Sequence, residues 1–102
     1  MSEEKIQELQ IVEQNLQNLF LQKQSFQMEL SETESALNEL ESSGDEVFKI
    51  VGQLMVKTDK KKTQEELSEK LEILKLRVNS FEKQEISLTE KLENLRKEVI
   101  GK

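Results

Sequence analysis

Two runs of apolar residues spaced alternately three and four apart, of nearly equal length and separated by a short stretch with a different period, restrict this chain to one simple architecture. The first run places Leu9, Leu16, Lys23, Leu30 and Leu37 at one seam position and Val12, Leu19, Phe26, Thr33 and Leu40 at the other. The second places Leu71, Val78, Glu85, Leu92 and Val99 against Leu67, Leu74, Phe81, Leu88 and Leu95. A heptad with this spacing is the signature of a coiled-coil seam. Because the strong helix breakers lie between the two runs, the spacing predicts a chain folded back on itself as an antiparallel helical hairpin. Each arm of about 60 Å follows from the 1.5 Å rise per residue. The fold class is mainly α, with a short β insert. Such an arrangement encloses no pocket, so any function belongs on surfaces.

Composition agrees with a seam rather than a thick core: of 102 residues, 34% are apolar and 35% charged. The chain has neither Pro nor Trp and only three Gly, so little interrupts a helix. With no Cys and no His it offers no disulfide, no thiolate nucleophile and no ordinary zinc ligand set, and neither metal nor cofactor is expected. There is no Gly-rich phosphate loop, nucleophile elbow or calcium loop, and an enzyme is not expected. The net charge of −6 lies mainly in residues 1 to 40, where acids greatly outnumber bases, and an acidic surface repels phosphate backbones. Nucleic acid is therefore not an expected partner. The start of the chain resembles neither a signal peptide nor a membrane span, which makes the cytoplasm the expected compartment and excludes the membrane as a partner.

Read along its length, the chain forms a single domain, 1–102. Helix one is expected over 2–42, starting near Ser2 and closing where Gly44 takes a positive φ. An insert over 46–58 follows. Its apolar residues alternate and are mostly β-branched or aromatic, which favours two short strands split at Gly52. An odd-numbered loop centred on Gly52 would put Phe48, Ile50, Leu54 and Val56 on one face; a two-residue Gly52-Gln53 loop of type II′ would rearrange the faces. The odd loop is the expectation. Helix two is expected over 63–100, opened by the capping box Thr63-Gln64-Glu65-Glu66. Lys60, Lys61 and Lys62 precede that start as a solvated turn or a docking contact, and Gly101 is expected to fray.

Lys23 and Glu85 interrupt the seams about midway along opposite arms, within side-chain reach of each other. They are expected to lock the register, since a misaligned hairpin would leave a charge against hydrocarbon. An isolated strand pair of this length is marginal in water. Val47, Phe48, Ile50, Val51, Leu54, Met55 and Val56 are therefore expected to recruit strands from other chains, and a closed barrel would leave no edge exposed. Alternatively, the hairpin folds down on the head of its own coiled coil. Several apolar residues lie off the seams. At the free ends, Ile6, Leu9, Ile11 and Val12 approach Leu95, Val99 and Ile100, offering either an adaptable apolar surface or simply the end of the seam.

Helix, Val47-Phe48-Lys49-Ile50-Val51-Gly52, Leu54-Met55-Val56-Lys57-Thr58, a lysine-rich turn and a second heptad helix together resemble the β-class subunit of prefoldin, of archaeal type, across essentially the whole chain. Gln53 stands where family members often carry Pro. The resemblance implies a hexamer of two α-class and four β-class subunits, joined by their hairpins into a double β-barrel body with six projecting coiled coils. It implies a chaperone that holds non-native proteins at the distal ends and passes them, without ATP, to a group II chaperonin. The barrel residues would then be the seven apolar strand residues named above. The client surface would be Ile6, Leu9, Ile11, Val12, Leu95, Val99 and Ile100. The 23 residues between the arms are too few for the second hairpin of the α class. A structural or adaptor coiled coil, dimerised by its strands, is the competing expectation.

Overall fold

The computed structural model describes residues 3–101. Helix α1 (Glu3–Ser42) leads into strands β1 (Val47–Val51) and β2 (Leu54–Thr58), and helix α2 (Lys60–Ile100) follows. The expected start near Ser2 lies outside the described residues. All twenty seam positions named above are buried or half-buried, so the three-and-four spacing identified the packed stripe of both helices. No side chain among the described residues is fully inaccessible. That is the burial two helices can provide, since each covers only one side of the other.

Contacts divide the chain into two compact units. In the first, residues 3–26 of α1 run antiparallel to 77–100 of α2. Val12, Leu92 and Leu95 form its buried cluster, with Leu9, Leu16 and Leu88 packed against them. Each such side chain contributes about 1.5–3 kcal/mol when fully withdrawn from water. In the second unit, residues 27–76, Leu40 and Leu74 are buried beside Thr33. Thr33 is tolerated in the seam because its hydroxyl donates to the Glu29 carbonyl, 2.8 Å away on its own helix, which leaves no unmet polar group.

Three local expectations need correction. The strands pair antiparallel with Val51 opposite Leu54, Ile50 opposite Met55, Lys49 opposite Val56 and Phe48 opposite Lys57. The loop is therefore the two-residue Gly52-Gln53, not an odd-numbered one. Gly52 has φ 63° and no non-Gly residue has positive φ, which is the pattern of a type II′ turn and matches the right-handed twist of the strands. Phe48, Ile50, Met55 and Lys57 consequently share one face. Val47, Lys49, Val51, Leu54, Val56 and Thr58 share the other.

Gly44 does not take a positive φ. The end of α1 is closed instead by serine side chains: the Ser43 hydroxyl donates to the Leu40 carbonyl at 2.8 Å, and the Ser42 hydroxyl reaches the carbonyls of Asn38 and Glu39. Lys60 adds a charged donor, its Nζ lying 2.8 Å from the Ser43 carbonyl oxygen.

Helix α2 begins at Lys60, three residues before Thr63. Asp59, just outside the helix, accepts the first helical bond at its carbonyl from the Thr63 N–H (3.0 Å), and the Thr63 hydroxyl donates to the same oxygen (2.8 Å). Thr63 is thus inside the first turn rather than at the cap. Aspartate is a favoured cap and supplies the negative charge that the helix start attracts, ahead of three lysines that oppose it. At the other end Gly101, with φ 89°, donates its N–H to the Lys97 carbonyl (3.1 Å) and caps α2 in a left-handed turn.

Candidate functional site

The β insert presents the largest run of uncovered apolar side chains. Val47 is half-buried, whereas Phe48, Ile50, Val51, Leu54, Met55 and Val56 are exposed, Ile50 at 73% and Leu54 and Met55 at 69%. Two strands form the whole sheet, so each has one edge with unpaired backbone groups. The base of the hairpin touches α2: Thr58 is half-buried, with its hydroxyl 3.4 Å from that of Thr63. Towards the turn the strands lie clear of both helices, so the hairpin is not folded down over its own head. A cleft of about 380 Å³ opens beside its base. Ala36, Leu40 and Leu67 line it from the helices and Val47 and Phe48 from β1, together with the polar Glu39, Ser43, Glu46 and Thr63. Sequence periodicity could not reveal this cleft, because it depends on how the strands leave the helix ends.

At the free ends the seven residues singled out from sequence divide. Ile6, Ile11 and Ile100 are exposed, while Leu9 and Val99 are half-buried. Val12 and Leu95 are not surface residues at all. They are 3% and 6% exposed, at the centre of the first unit's cluster. Heptad position already assigned both to the seam, and a closed seam outranks an adaptable patch. Ion pairs flank this packing, Lys5 with Glu98 at 3.3 Å and Lys91 with Glu8 at 3.6 Å.

Within the same unit Lys23 and Glu85 form an ion pair at 2.6 Å, with side chains only 18% and 22% exposed. One turn away Phe26 and Phe81 stack with ring centroids 5.3 Å apart, and the Arg77 guanidinium lies 5.7 Å over the Phe26 ring. In the second unit Lys70 pairs with Glu29 at 3.1 Å. The pairs Glu8–Lys91 and Glu29–Lys70 were not singled out from sequence. Their signal was present, since all four residues directly precede a first seam position in the heptad, where antiparallel helices bring such residues together.

No cluster of three or more metal-capable side chains occurs among the described residues, and none of the helices there is long and apolar enough to cross a membrane.

A family model described as a prefoldin subunit matches residues 3–102. A prefoldin subunit beta of Thermococcus onnurineus is 46% identical over 94 residues, which cover 90% of this chain and 81% of that protein. That of Thermococcus kodakarensis is 48% identical over 90 residues, 86% of this chain and 77% of the relative. That of Sulfurisphaera tokodaii is 43% identical over 93 residues, 89% and 74%. Among solved structures, the prefoldin beta subunit from Thermococcus strain KS-1 is similar with a TM-score of 0.84 and 44% identity, over 93% of this chain and 85% of the other.

Proposed function

From the premise that this chain belongs to the prefoldin family, and is a chaperone subunit that assembles with other prefoldin subunits, we propose that it is the β-class member of a hexamer of two α-class and four β-class subunits in the cytoplasm. In that assembly it holds non-native proteins at its free helix ends and passes them to a group II chaperonin without ATP. The observation that carries this reading is the uncovered hairpin. Apolar strands with two open edges are marginal alone and gain most when other strands complete the sheet. Val47, Phe48, Ile50, Val51, Leu54, Met55 and Val56 supply that contact. Lys23 and Glu85 hold the arms in register while they project.

The client surface consists of Ile6, Ile11 and Ile100, supported by Leu9 and Val99; Val12 and Leu95 join it only where the seam opens. A non-native protein exposes apolar side chains in no fixed pattern. Each contact is worth at most about 1.5–3 kcal/mol, so one arm binds weakly. Several arms on one body raise the effective concentration and turn weak contacts into retention, while each contact still releases separately. Release therefore requires no nucleotide step in this chain.

Mixed with an α-class subunit, the chain is expected to give a six-subunit complex that suppresses aggregation of a denatured test protein. A stable dimer without that activity would indicate an adaptor coiled coil instead. Ile6→Ser combined with Val99→Ser is expected to shorten client retention and leave assembly intact; unchanged retention would move the client surface elsewhere.

A further inference from the structure

On one flank of the first unit a groove of about 360 Å³ runs between the helices, lined by Asn15, Asn18 and Gln22 from α1 and Gln84 from α2, with Leu19 and Leu88 as its floor. The four carboxamides are exposed, whereas Leu19 is buried and Leu88 half-buried. Asn15, Gln22 and Gln84 each directly precede a first seam position, the place that elsewhere on the same helices carries the ion pairs Glu8–Lys91 and Glu29–Lys70. Amides replace the charges here. Among the described residues none of the four hydrogen-bonds across to the other helix; only Gln84 has a side-chain partner, Ser80 of its own helix at 3.3 Å. They therefore do little to hold the two helices together, and most of their donors and acceptors are open to a ligand.

We infer that this groove binds the main chain of an extended segment of a non-native protein, an inference that rests on the client-holding role proposed above. A carboxamide offers both donors and an acceptor, whereas a carboxylate only accepts and an ammonium only donates. The main chain likewise alternates N–H and C=O along its length, so amides can meet it whatever its side chains. Asn18 and Gln22 are about 6 Å apart along α1 at 1.5 Å per residue, and the groups that an extended chain turns to one edge recur about every 6.6–6.8 Å. Leu19 and Leu88 beneath keep water from one side of such bonds. No charged side chain lines the groove, so a client's own charges do not decide whether it fits. A folded protein has already paired its main chain. Only a non-native one has it free, and main-chain recognition separates the two states without reading any sequence.

The complex assembled with α-class subunits tests this. One variant of the chain carries Asn15→Ala, Asn18→Ala, Gln22→Ala and Gln84→Ala. Alanine favours the helix and all four positions are exposed, so helical content by circular dichroism and assembly by sedimentation are expected to match the parent. The probe is an uncharged, apolar, unstructured peptide, compared with the same peptide N-methylated at alternate residues, which keeps every side chain and removes the donors along one edge. The parent is expected to bind the unmodified peptide at least ~5-fold more tightly, the equivalent of about one net hydrogen bond. The alanine variant is expected to lose that preference and to bind both peptides as the parent binds the methylated one. Ile6→Ser with Val99→Ser is expected to weaken both peptides alike and keep the preference. Because the preference is a ratio of two peptides on one protein, a general loss of stability does not mimic it, and the pair Asn18→Ala and Gln22→Ala is expected to lower it part of the way.

A parent that holds both peptides equally would overturn the groove while leaving the free ends as the client surface. So would alanine variants that keep the full preference of the parent. A parent that retains neither peptide, nor a denatured test protein, would overturn the client role along with the groove.

Discussion

Lys23 and Glu85 show how a single pair can serve specificity rather than stability. Two leucines at these positions would extend the apolar seam, whereas the pair is held at 2.6 Å with about a fifth of each side chain exposed. That exposure places it between surface pairs, worth little, and buried ones, costly to break. Lys23→Leu and Glu85→Leu are each expected to destabilise the chain by about 1–2 kcal/mol, because each leaves a half-buried charge unpaired. The double variant is expected to regain the loss in thermal unfolding. Its register should loosen, however, so that spin labels across the two helices report more than one separation. A double variant with one sharp separation would end the register role, and losses that simply add would show that the two residues do not interact.

At the level of elements, the chain is organised by its helix ends. Residues at the close of α1 include Glu39 and Glu41 and no base, while α2 opens on three lysines. Each end by itself opposes the helix dipole. In the second unit the two ends are neighbours, and Lys60 donates to the Ser43 carbonyl just past the end of α1, so a charge unfavourable to its own helix is favourable to the adjacent one. The cap of α2 gives a direct check. Asp59→Ala is expected to cost about 1 kcal/mol in thermal unfolding and to speed hydrogen exchange at the first amides of α2. Thr63→Ala is expected to cost clearly less, since the Asp59 carbonyl still receives the Thr63 N–H. The reverse order would restore Thr63 as the cap.

For the molecule as a whole, the interior is a seam and the insert is uncovered, so the two parts are expected to differ in what stabilises them. The seam is satisfied within the chain. The strands are stabilised when other strands cover them, and a gain that comes from association depends on concentration. Hydrogen exchange at Val47–Val51 and Leu54–Thr58 is therefore expected to quicken on dilution, while the amides of α1 and α2 in the seam change far less. Strands fully protected in a lone, dilute protomer would remove the physical basis for assembly through the insert.

What could be read in advance was whatever repeats. The three-and-four spacing located every seam residue, because burial along a helix is a property of period and needs no knowledge of the partner. The alternating β-branched residues located both strands, and the seam charges at Lys23 and Glu85 announced their own pairing. Single residues at boundaries were not legible in the same way. A glycine is permissive in any direction, so Gly52 alone could not distinguish a two-residue turn from a three-residue one. Nor could Gly44 reveal that serines would close the helix. Thr63 fitted a capping pattern that Asp59 filled four residues earlier. The free ends were legible only in part: Ile6, Ile11 and Ile100 stay exposed, but Val12 and Leu95 are equally apolar and go inside. Hydrophobicity states that a side chain gains by leaving water; which surface receives it is decided only when the second helix arrives.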